Sequence, residues 1–450
     1  MENGLEKNFC ADGSFSAFLL CLRGKTPVSD PALQKQQQAL RIFCPAEEYT
    51  DLSDALAAFR SKNPQLTMDL VRFDSVQEME DQLVAQLNTG SGPDIVIFNH
   101  STGLDVRKMA RSGAFLDLEP YLQADASYRP EDYLPAAMAC CRFDQKQYLL
   151  PVGLMLMLNE HTRQTAQEQG IVQGKTSLDD YYTMLDTYEK AHRDEAGVIA
   201  FFRCWIDYMD GIGFSPAHQM LALCGVDLDE IDDSDSPRER VRRAVDWFGL
   251  IRRQDEKLRS ASDDVLQYDR TFTYSYSTHD PVMTYFIRRV TDRELYNGEE
   301  LSWFMPPSAD DPEQLSGLLA LFGAVTKDAA HPQEAYDFLR MVMDCYDHVT
   351  QPAVNSMWYT PACRANIVSS IEYFSGQARI SSSGETIPAL TVEEGSFLLE
   401  CYDAVHSVWL PAPKLVGFLE SEFAPYWQGE SDFEGCYQSF LGKLRLYREE

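Results

Sequence analysis

The chain has 450 residues, more than a single domain usually contains, so we expect two or more domains. Hydrophobic residues make up 44% of the sequence, enough for sizeable cores, and the formal net charge is -31 at pH 7. A negative charge of this size repels phosphate backbones, so we expect no binding of nucleic acid. No segment approaches the roughly 18–20 apolar residues that are needed to cross a bilayer.

The first residues, 1–39, are expected to be a leader or a tether. Residues 15–22 form a short apolar run such as a secretion signal contains, but the acidic residues before it have the wrong charge for an export signal. Residues 23–39 are polar and rich in glutamine, as a tether would be. A surface segment and a degenerate secretion leader therefore both stay open, as does cleavage or lipidation of this part.

The next part of the chain is predicted to alternate between strands and helices. Apolar runs at residues 40–44, 66–73 and 95–98 are typical of strands. The second intervening helix begins at a capping box, residues 75–78, and stops at a glycine-rich turn, residues 90–92. This alternation predicts a parallel sheet with right-handed crossovers. The first intervening helix has apolar residues at helical spacing: Leu52, Ala55, Leu56 and Phe59.

Residues 148–159 form a long apolar run that contains Pro151 and Gly153. As one strand this run would be too long, so we expect a strand that leaves one lobe, bends between these two residues and enters another lobe. Residues 177–270 are predicted to be mainly helical.

Towards the C-terminus, residues 318–325 are predicted to form a buried strand, and Pro332 takes the first position of an amphipathic helix. Residues 350–450 are expected to be mostly amphipathic helix.

The eleven cysteines form no metal or redox motif. No Cys-x-x-Cys pair occurs, and Cys140 and Cys141 are adjacent. Because the count is odd, at least one thiol is free or forms an intermolecular bond. The sequence favours free cysteines that are buried as small hydrophobic residues, and the disulfide state stays open.

Motifs for catalysis and metal binding are also missing from the sequence. There is no Gly-x-Ser-x-Gly, no His-Glu-x-x-His and no phosphate-binding glycine loop. His100 has no second His or Cys at ligand spacing, and the acidic segment 227–235 lacks the glycine and terminal Glu of a calcium loop. We expect no catalytic residues, no cofactor and no metal, with a glycoside hydrolase as the enzymatic alternative.

Several blocks of the chain, taken in their order, resemble the extracellular solute-binding proteins of ABC importers, the family that includes maltodextrin and multiple-sugar binders. The resemblance covers about residues 40–450. The blocks are residues 57–64, 92–98, 112–118, 148–159, 323–329, 332–339 and 422–429.

The resemblance implies an α/β fold with two lobes, like type II periplasmic binding proteins, in which mainly parallel sheets are flanked by helices and a hinge joins the lobes. Lobe 1 would comprise residues 40–150 and 315–345, and lobe 2 residues 155–310 and 350–450.

The implied function is that of an extracytoplasmic solute-binding protein at the cell surface or in the periplasm. It would capture a small solute, in the first place a carbohydrate, by closing the lobes and would deliver it to the membrane subunits of an ABC permease. We expect a monomer. A surface or sensor protein without transport is the alternative, and the ligand and the cognate permease stay open.

The candidate ligand-binding residues lie at strand ends and at the predicted crossings between the lobes. Sugar sites combine flat apolar faces with polar groups that bind hydroxyls. Glu47 and Glu48 have an alternative role as acidic residues at the start of the next helix. The residues expected to line the cleft are Glu47, Glu48, Tyr49, Asn99, His100, Ser101, Gly153, Met155, Trp205, Asp280, Met283, Trp358 and Tyr359.

Overall fold

A computed structural model describes most of the chain between residues 39 and 449, and its contacts divide the chain into Met1–Gln38 and Ala39–Glu450. The predicted leader or tether lies outside the described residues, apart from residue 39. The described residues are 39–156, 159–162, 167, 175–192, 198–199, 216–228, 231–260, 266–267, 301–304, 311, 313–345, 359–380, 384 and 386–449.

Strands and helices of the described residues follow one another as an α/β chain. The strands are β1 (Leu40–Pro45), β2 (Met68–Phe73), β3 (Ile95–Asn99), β4 (Arg142–Phe143), β5 (Lys146–Gln147), β6 (Leu149–Leu156), β7 (Asn159–Thr162), β8 (Val198–Ile199), β9 (Leu266–Gln267), β10 (Leu301–Phe304), β11 (Leu315–Val325), β12 (Thr360–Pro361), β13 (Arg379–Ile380), β14 (Thr386–Ile387) and β15 (Val405–Trp409). The α-helices are α1 (Tyr49–Lys62), α2 (Val76–Thr89), α3 (Val106–Arg111), α4 (Glu119–Ala124), α5 (Pro135–Cys140), α6 (Leu178–His192), α7 (Pro216–Leu223), α8 (Asp235–Ser260), α9 (Pro332–Cys345), α10 (Arg364–Gly376), α11 (Val392–Asp403), α12 (Pro413–Trp427) and α13 (Phe433–Glu449).

The central sheet has seven strands in the order β12-β6-β11-β3-β1-β2, with β15 joined to β11. The predicted parallel unit is confirmed, because β1 pairs in parallel with both β2 and β3. The long strand β11 then pairs antiparallel with β3 and β6, and parallel with β15. The sheet is therefore parallel where β1, β2 and β3 alternate with helices and mixed where the later strands join it.

The two helices of this first unit begin and end for local reasons. The Ser75 hydroxyl accepts the Glu78 N–H at the start of α2, which is one half of the predicted capping box. Gly90 ends α2 with a φ of +67°, a left-handed conformation that glycine adopts without steric cost. In α1, Leu52 and Phe59 are buried as their spacing predicts.

The predicted bend in the long apolar run coincides with an irregular pairing. Every residue of β6 and of β11 is buried. Between the two strands the register shifts on either side of Leu321, opposite Pro151 and Gly153. Residues 157–158, which follow β6, lie outside the described residues.

The central sheet separates two apolar layers, because alternate residues of each strand point to opposite faces. In β3, Ile95 and Ile97 belong to one layer, and Val96 and Phe98 belong to the other. Helices α1 and α9 contribute to the first layer, and α2 and α3 contribute to the second. Burial of one such side chain stabilises the fold by roughly 1.5–3 kcal/mol, which explains why helices cover both faces.

The described cysteines are free and buried within these layers, as predicted. They are Cys44, Cys140, Cys141, Cys224, Cys363, Cys401 and Cys436.

Asp94, directly before β3, connects the start of this strand to β1 and to the residues before α9. Its carboxylate accepts the Arg41 N–H at 2.8 Å from β1. The other carboxylate oxygen accepts the N–H groups of Ala330 at 2.5 Å and His331 at 3.0 Å, just before α9. Asp94 is only 4% exposed, so these bonds replace the water that its charge would otherwise need.

Replacement of Asp94 by Asn is expected to lower the free energy of unfolding by about 3 kcal/mol, because an amide NH₂ would then face a backbone N–H and the negative charge at the start of α9 would be lost. Urea denaturation measures this loss. Asp74→Asn is the matched control, since the Asp74 side chain is 84% exposed and forms a surface ion pair with Arg72. Equal urea midpoints for wild type and Asp94→Asn would contradict a stabilising role for the hydrogen bonds of Asp94.

Candidate ligand-binding site

Three candidate residues from separate segments form a buried hydrogen-bond network. The Tyr359 hydroxyl lies 2.8 Å from His100 Nδ1 and donates to Glu48 Oε1 at 3.3 Å. The exposed fractions are 3% for Glu48, 7% for His100 and 2% for Tyr359. The structure therefore brings together residues that follow β1, follow β3 and precede β12, and their contact with a ligand stays a prediction.

The geometry of the network favours one arrangement of its protons. A tyrosine hydroxyl has one proton, and an ionised carboxylate can only accept. Because the Tyr359 proton goes to Glu48, the bond between His100 and Tyr359 is consistent with His100 Nδ1–H as the donor. Burial lowers the pKa of His100 to about 4, so its imidazole is neutral at pH 7.

Gly153 allows Tyr359 to take this position. A Cβ atom on Gly153 would lie 2.6 Å from Tyr359 Cβ, closer than real Cβ atoms approach, and 3.3 Å from its Cγ. Asn99, Leu321, Gly153 and Pro361 lie in register across β3, β11, β6 and β12. The absence of a side chain at the third position of this row therefore brings the Tyr359 segment against the sheet.

A second set of candidate residues lies beside the buried network and reaches the surface. Asn99 Nδ2 donates to Glu47 Oε2 at 3.1 Å, and Asn99 Oδ1 accepts the Ser101 N–H at 3.1 Å. Glu47 is exposed and Ser101 is half-buried, whereas Asn99 is 1% exposed. This arrangement presents a carboxylate to solvent at the carboxyl ends of β1 and β3, held by a buried amide.

The alternative role of Glu47 and Glu48 at a helix start is compatible with these contacts. Both residues lie in the 3-10 turn Ala46–Glu48, and Glu48 is the N-cap of α1 without a capping hydrogen bond from its side chain. Tyr49 is the first residue of α1 and is half-buried, with the Arg72 guanidinium 5.8 Å from its ring centre.

The remaining candidates do not join this cluster among the described residues. Met155 is 4% exposed and belongs to the apolar core, so its contact with a ligand stays a prediction. Four candidates lie outside the described residues: Trp205, Asp280, Met283 and Trp358.

Glu80 is a functional neighbour that the sequence reasoning missed. Its carboxylate accepts the Thr102 hydroxyl and the Gly103 N–H, both at 2.7 Å, and it is 3% exposed. It therefore fixes the loop that follows Ser101. A signal was present in the sequence, because Glu80 falls among the apolar positions Val76, Met79 and Leu83 at helical spacing.

The described residues contain no group of three or more His, Cys, Asp or Glu side chains that could hold a metal ion. Within the same part of the chain, every helix is too short or too polar to cross a membrane. What the cluster offers is a set of hydrogen-bonding groups at the edge of a sheet, which is the usual place for a ligand in an open α/β fold.

The fold and the site define the α/β class of two-lobed solute-binding proteins. Residues 54–363 match the family described as bacterial extracellular solute-binding protein, and the chain belongs to this family. A comparison with curated proteins found no match.

Solved structures share the fold at low sequence identity. The sugar-binding protein MalE from Xanthomonas citri superposes with a TM-score of 0.62 at 12% identity, covering 92% of this chain and 100% of that one. A sugar transporter from Rhizobium etli in an open conformation gives 0.58 at 14% identity, covering 91% and 99%. An ABC substrate-binding protein from Listeria monocytogenes in complex with cycloalternan gives 0.56 at 14% identity, covering 91% and 99%. These likenesses confirm the predicted two-lobed α/β fold.

Substitution of Gly153 by Ala is expected to lower the free energy of unfolding by about 2 kcal/mol, because the new Cβ meets the Tyr359 Cβ rather than the end of a flexible side chain. Urea denaturation gives the value. Gly417→Ala in α12 is the matched control, since nothing lies within 4 Å of its Cβ and a helix interior favours Ala. A Gly153→Ala protein as stable as wild type would contradict the close approach.

The lowered pKa of His100 makes folding sensitive to acid. Because the unfolded ring has a pKa near 6.5 and the folded ring one of about 4, the stabilisation is complete above pH 6.5 and is lost as the pH falls towards 4. His100→Gln should remove about 2 kcal/mol of the stability lost between pH 7 and pH 4.5. Denaturation at both pH values tests this, with exposed His406→Gln as control. An equal loss of unfolding free energy between pH 7 and pH 4.5 for wild type and His100→Gln would contradict the lowered pKa of His100.

Proposed function

We propose that the chain is the solute-binding component of an ABC importer, which captures a carbohydrate outside the cytoplasm and delivers it to the membrane subunits of a permease. Membership of the solute-binding family supports capture of a small solute and a location at the cell surface or in the periplasm. The named structures include proteins described as sugar-binding or as a complex with cycloalternan, which supports carbohydrate as the solute class.

The observation that carries the proposal is the exposed carboxylate of Glu47, held by Asn99 at the carboxyl ends of β1 and β3. Sugar hydroxyls donate and accept hydrogen bonds, and a fixed carboxylate is a strong acceptor for them. Ser101 lies next to this pair and adds a hydroxyl that can donate or accept.

The charge of the chain disfavours an anionic solute. The formal net charge is -31, and the group that Glu47 presents to solvent is itself anionic. An anionic solute would be repelled by both, whereas a neutral sugar would lose no Coulomb energy on approach.

Binding is proposed to close the two lobes around the solute. In this proposal lobe 1 comprises residues 40–150 and 315–345, lobe 2 comprises residues 155–310 and 350–450, and the apolar segment that contains β6 crosses between them. Two short strands of the second range, β12 and β15, pair within the central sheet and attach that range to lobe 1. A solute that contacts both lobes favours the closed form by its additional contacts there. We further propose that the protein acts as a monomer and has no catalytic activity, as befits a family of binding proteins.

A thermal-shift screen against maltose, cycloalternan, peptides and polyamines tests the solute class. A ligand at 100 times its Kd stabilises the folded state by about 2.7 kcal/mol and raises the melting temperature. A shift with a sugar that is recovered unchanged supports a binding protein. Product formation would instead indicate a glycoside hydrolase. No shift in melting temperature with any of these compounds would indicate a surface or sensor protein without transport.

Glu47→Gln is expected to raise the Kd for a bound sugar about tenfold, because a hydrogen bond to a charged group is worth about 1.5–3 kcal/mol and the amide is a weaker acceptor. Isothermal titration calorimetry measures the Kd. Glu393→Gln, at an exposed glutamate of α11, is the matched control and should leave the Kd unchanged. Equal Kd values for Glu47→Gln and wild type would contradict a contact between the Glu47 carboxylate and the sugar.

A further inference from the structure

The buried network and the exposed carboxylate are joined through neighbouring residues of the chain. Glu48, which accepts from Tyr359, follows Glu47 in the same 3-10 turn. His100, which contacts the Tyr359 hydroxyl at 2.8 Å, follows Asn99 at the end of β3. One tyrosine hydroxyl therefore holds the residues directly beside both members of the Glu47–Asn99 pair.

The segment that carries Tyr359 is itself firmly bound to β6. Thr360 and Pro361 pair with Leu154 and Gly153, and the Ala362 N–H donates to the Val152 carbonyl at 3.0 Å. The Ala362 carbonyl in turn accepts the Tyr402 hydroxyl at 2.8 Å and the Leu134 N–H at 3.0 Å. A shift of residues 359–362 along β6 would thus move the Tyr359 hydroxyl relative to Glu48 and His100.

We propose that Tyr359 is a positioning residue for the carbohydrate site, through which the position of residues 359–362 on β6 sets the geometry of Glu47 and Asn99. The inference rests on the proposed function, because it treats Glu47 as a group that contacts solute. Tyr359 itself is buried and acts through Glu48 and His100.

The physical reason is the cost of losing a hydrogen bond at a buried polar group. Without the Tyr359 hydroxyl, Glu48 and His100 each lose a hydrogen bond in a site that is shielded from water. The 3-10 turn that carries Glu47 and Glu48 then relaxes towards solvent, and the Glu47–Asn99 pair is no longer fixed before the solute arrives. Ordering that pair again at the moment of binding weakens the affinity.

Tyr359→Phe tests this, because it keeps the ring against Gly153 and removes only the hydroxyl. Titration calorimetry with maltose should give a Kd about tenfold higher than that of the wild type. Tyr336→Phe is the matched control: its hydroxyl also belongs to a buried tyrosine and donates to a carboxylate, that of Asp125 at 3.1 Å, in a contact between α9 and the residue after α4. Tyr336→Phe should leave the Kd within about twofold of the wild type while losing a similar share of stability.

A double-mutant cycle separates positioning from general loosening of the fold. If Tyr359 acts through Glu47, then Tyr359→Phe in a Glu47→Gln background should change the Kd by less than about twofold. Additive effects of the two substitutions would overturn the proposal, since they would mean that Tyr359 affects binding without Glu47. Should Tyr359→Phe not fold, Glu48→Gln probes the same contact from its other end under the same criteria.

Hydrogen exchange tests the positioning role of Tyr359 even if the wild type binds no sugar. In that case the carbohydrate function fails, but Tyr359→Phe should still accelerate exchange at the Ser101 amide, which donates to Asn99, and at residues 46–49. The control substitution Tyr336→Phe should leave exchange at these amides unchanged. Unchanged exchange at these amides in Tyr359→Phe would overturn the positioning role, whatever the affinity measurements show.

Discussion

The candidate site depends on the close approach of Tyr359 to Gly153. Only a glycine leaves room for the tyrosine side chain at this point of β6, where a Cβ would lie 2.6 Å from Tyr359 Cβ. From this position the hydroxyl reaches Glu48 and His100 and satisfies both in a region that excludes water. A steric feature of one strand thereby determines the polar arrangement at the ends of two others.

The sheet makes this arrangement possible because β11 lies between the parallel unit and β6. It pairs antiparallel with both neighbours, so that the end of β3 and the middle of β6 face each other across Leu321. Asp94 fixes the other end of β3 to β1 and to the start of α9. Both ends of β3 are thus anchored by buried side chains, which gives the Glu47–Asn99 pair a rigid support. Rigid support matters for sugar recognition, because hydrogen bonds to hydroxyls are directional.

Sequence patterns predicted much of the fold and selected part of the candidate site. The alternation of strands and helices in residues 40–98 predicted the parallel unit, since periodicity is a local property of the chain. Placement after β1 and β3 selected Glu47 and Asn99, which are in contact, because carboxyl ends of parallel strands share one edge. Glu80 was missed, although a charge on the apolar side of α2 was visible, because its partners Thr102 and Gly103 lie on another element.

The sequence by itself determined which segments form strands and helices, which faces they bury, and which family the chain resembles. These are properties of local spacing and composition, and they do not require knowledge of distant partners. Only the tertiary structure decided that Tyr359 packs on Gly153 and bonds to Glu48 and His100, at sequence separations of 311 and 259 residues from these two partners. Contacts so distant along the chain depend on the order and direction of all the intervening strands, which no local pattern encodes.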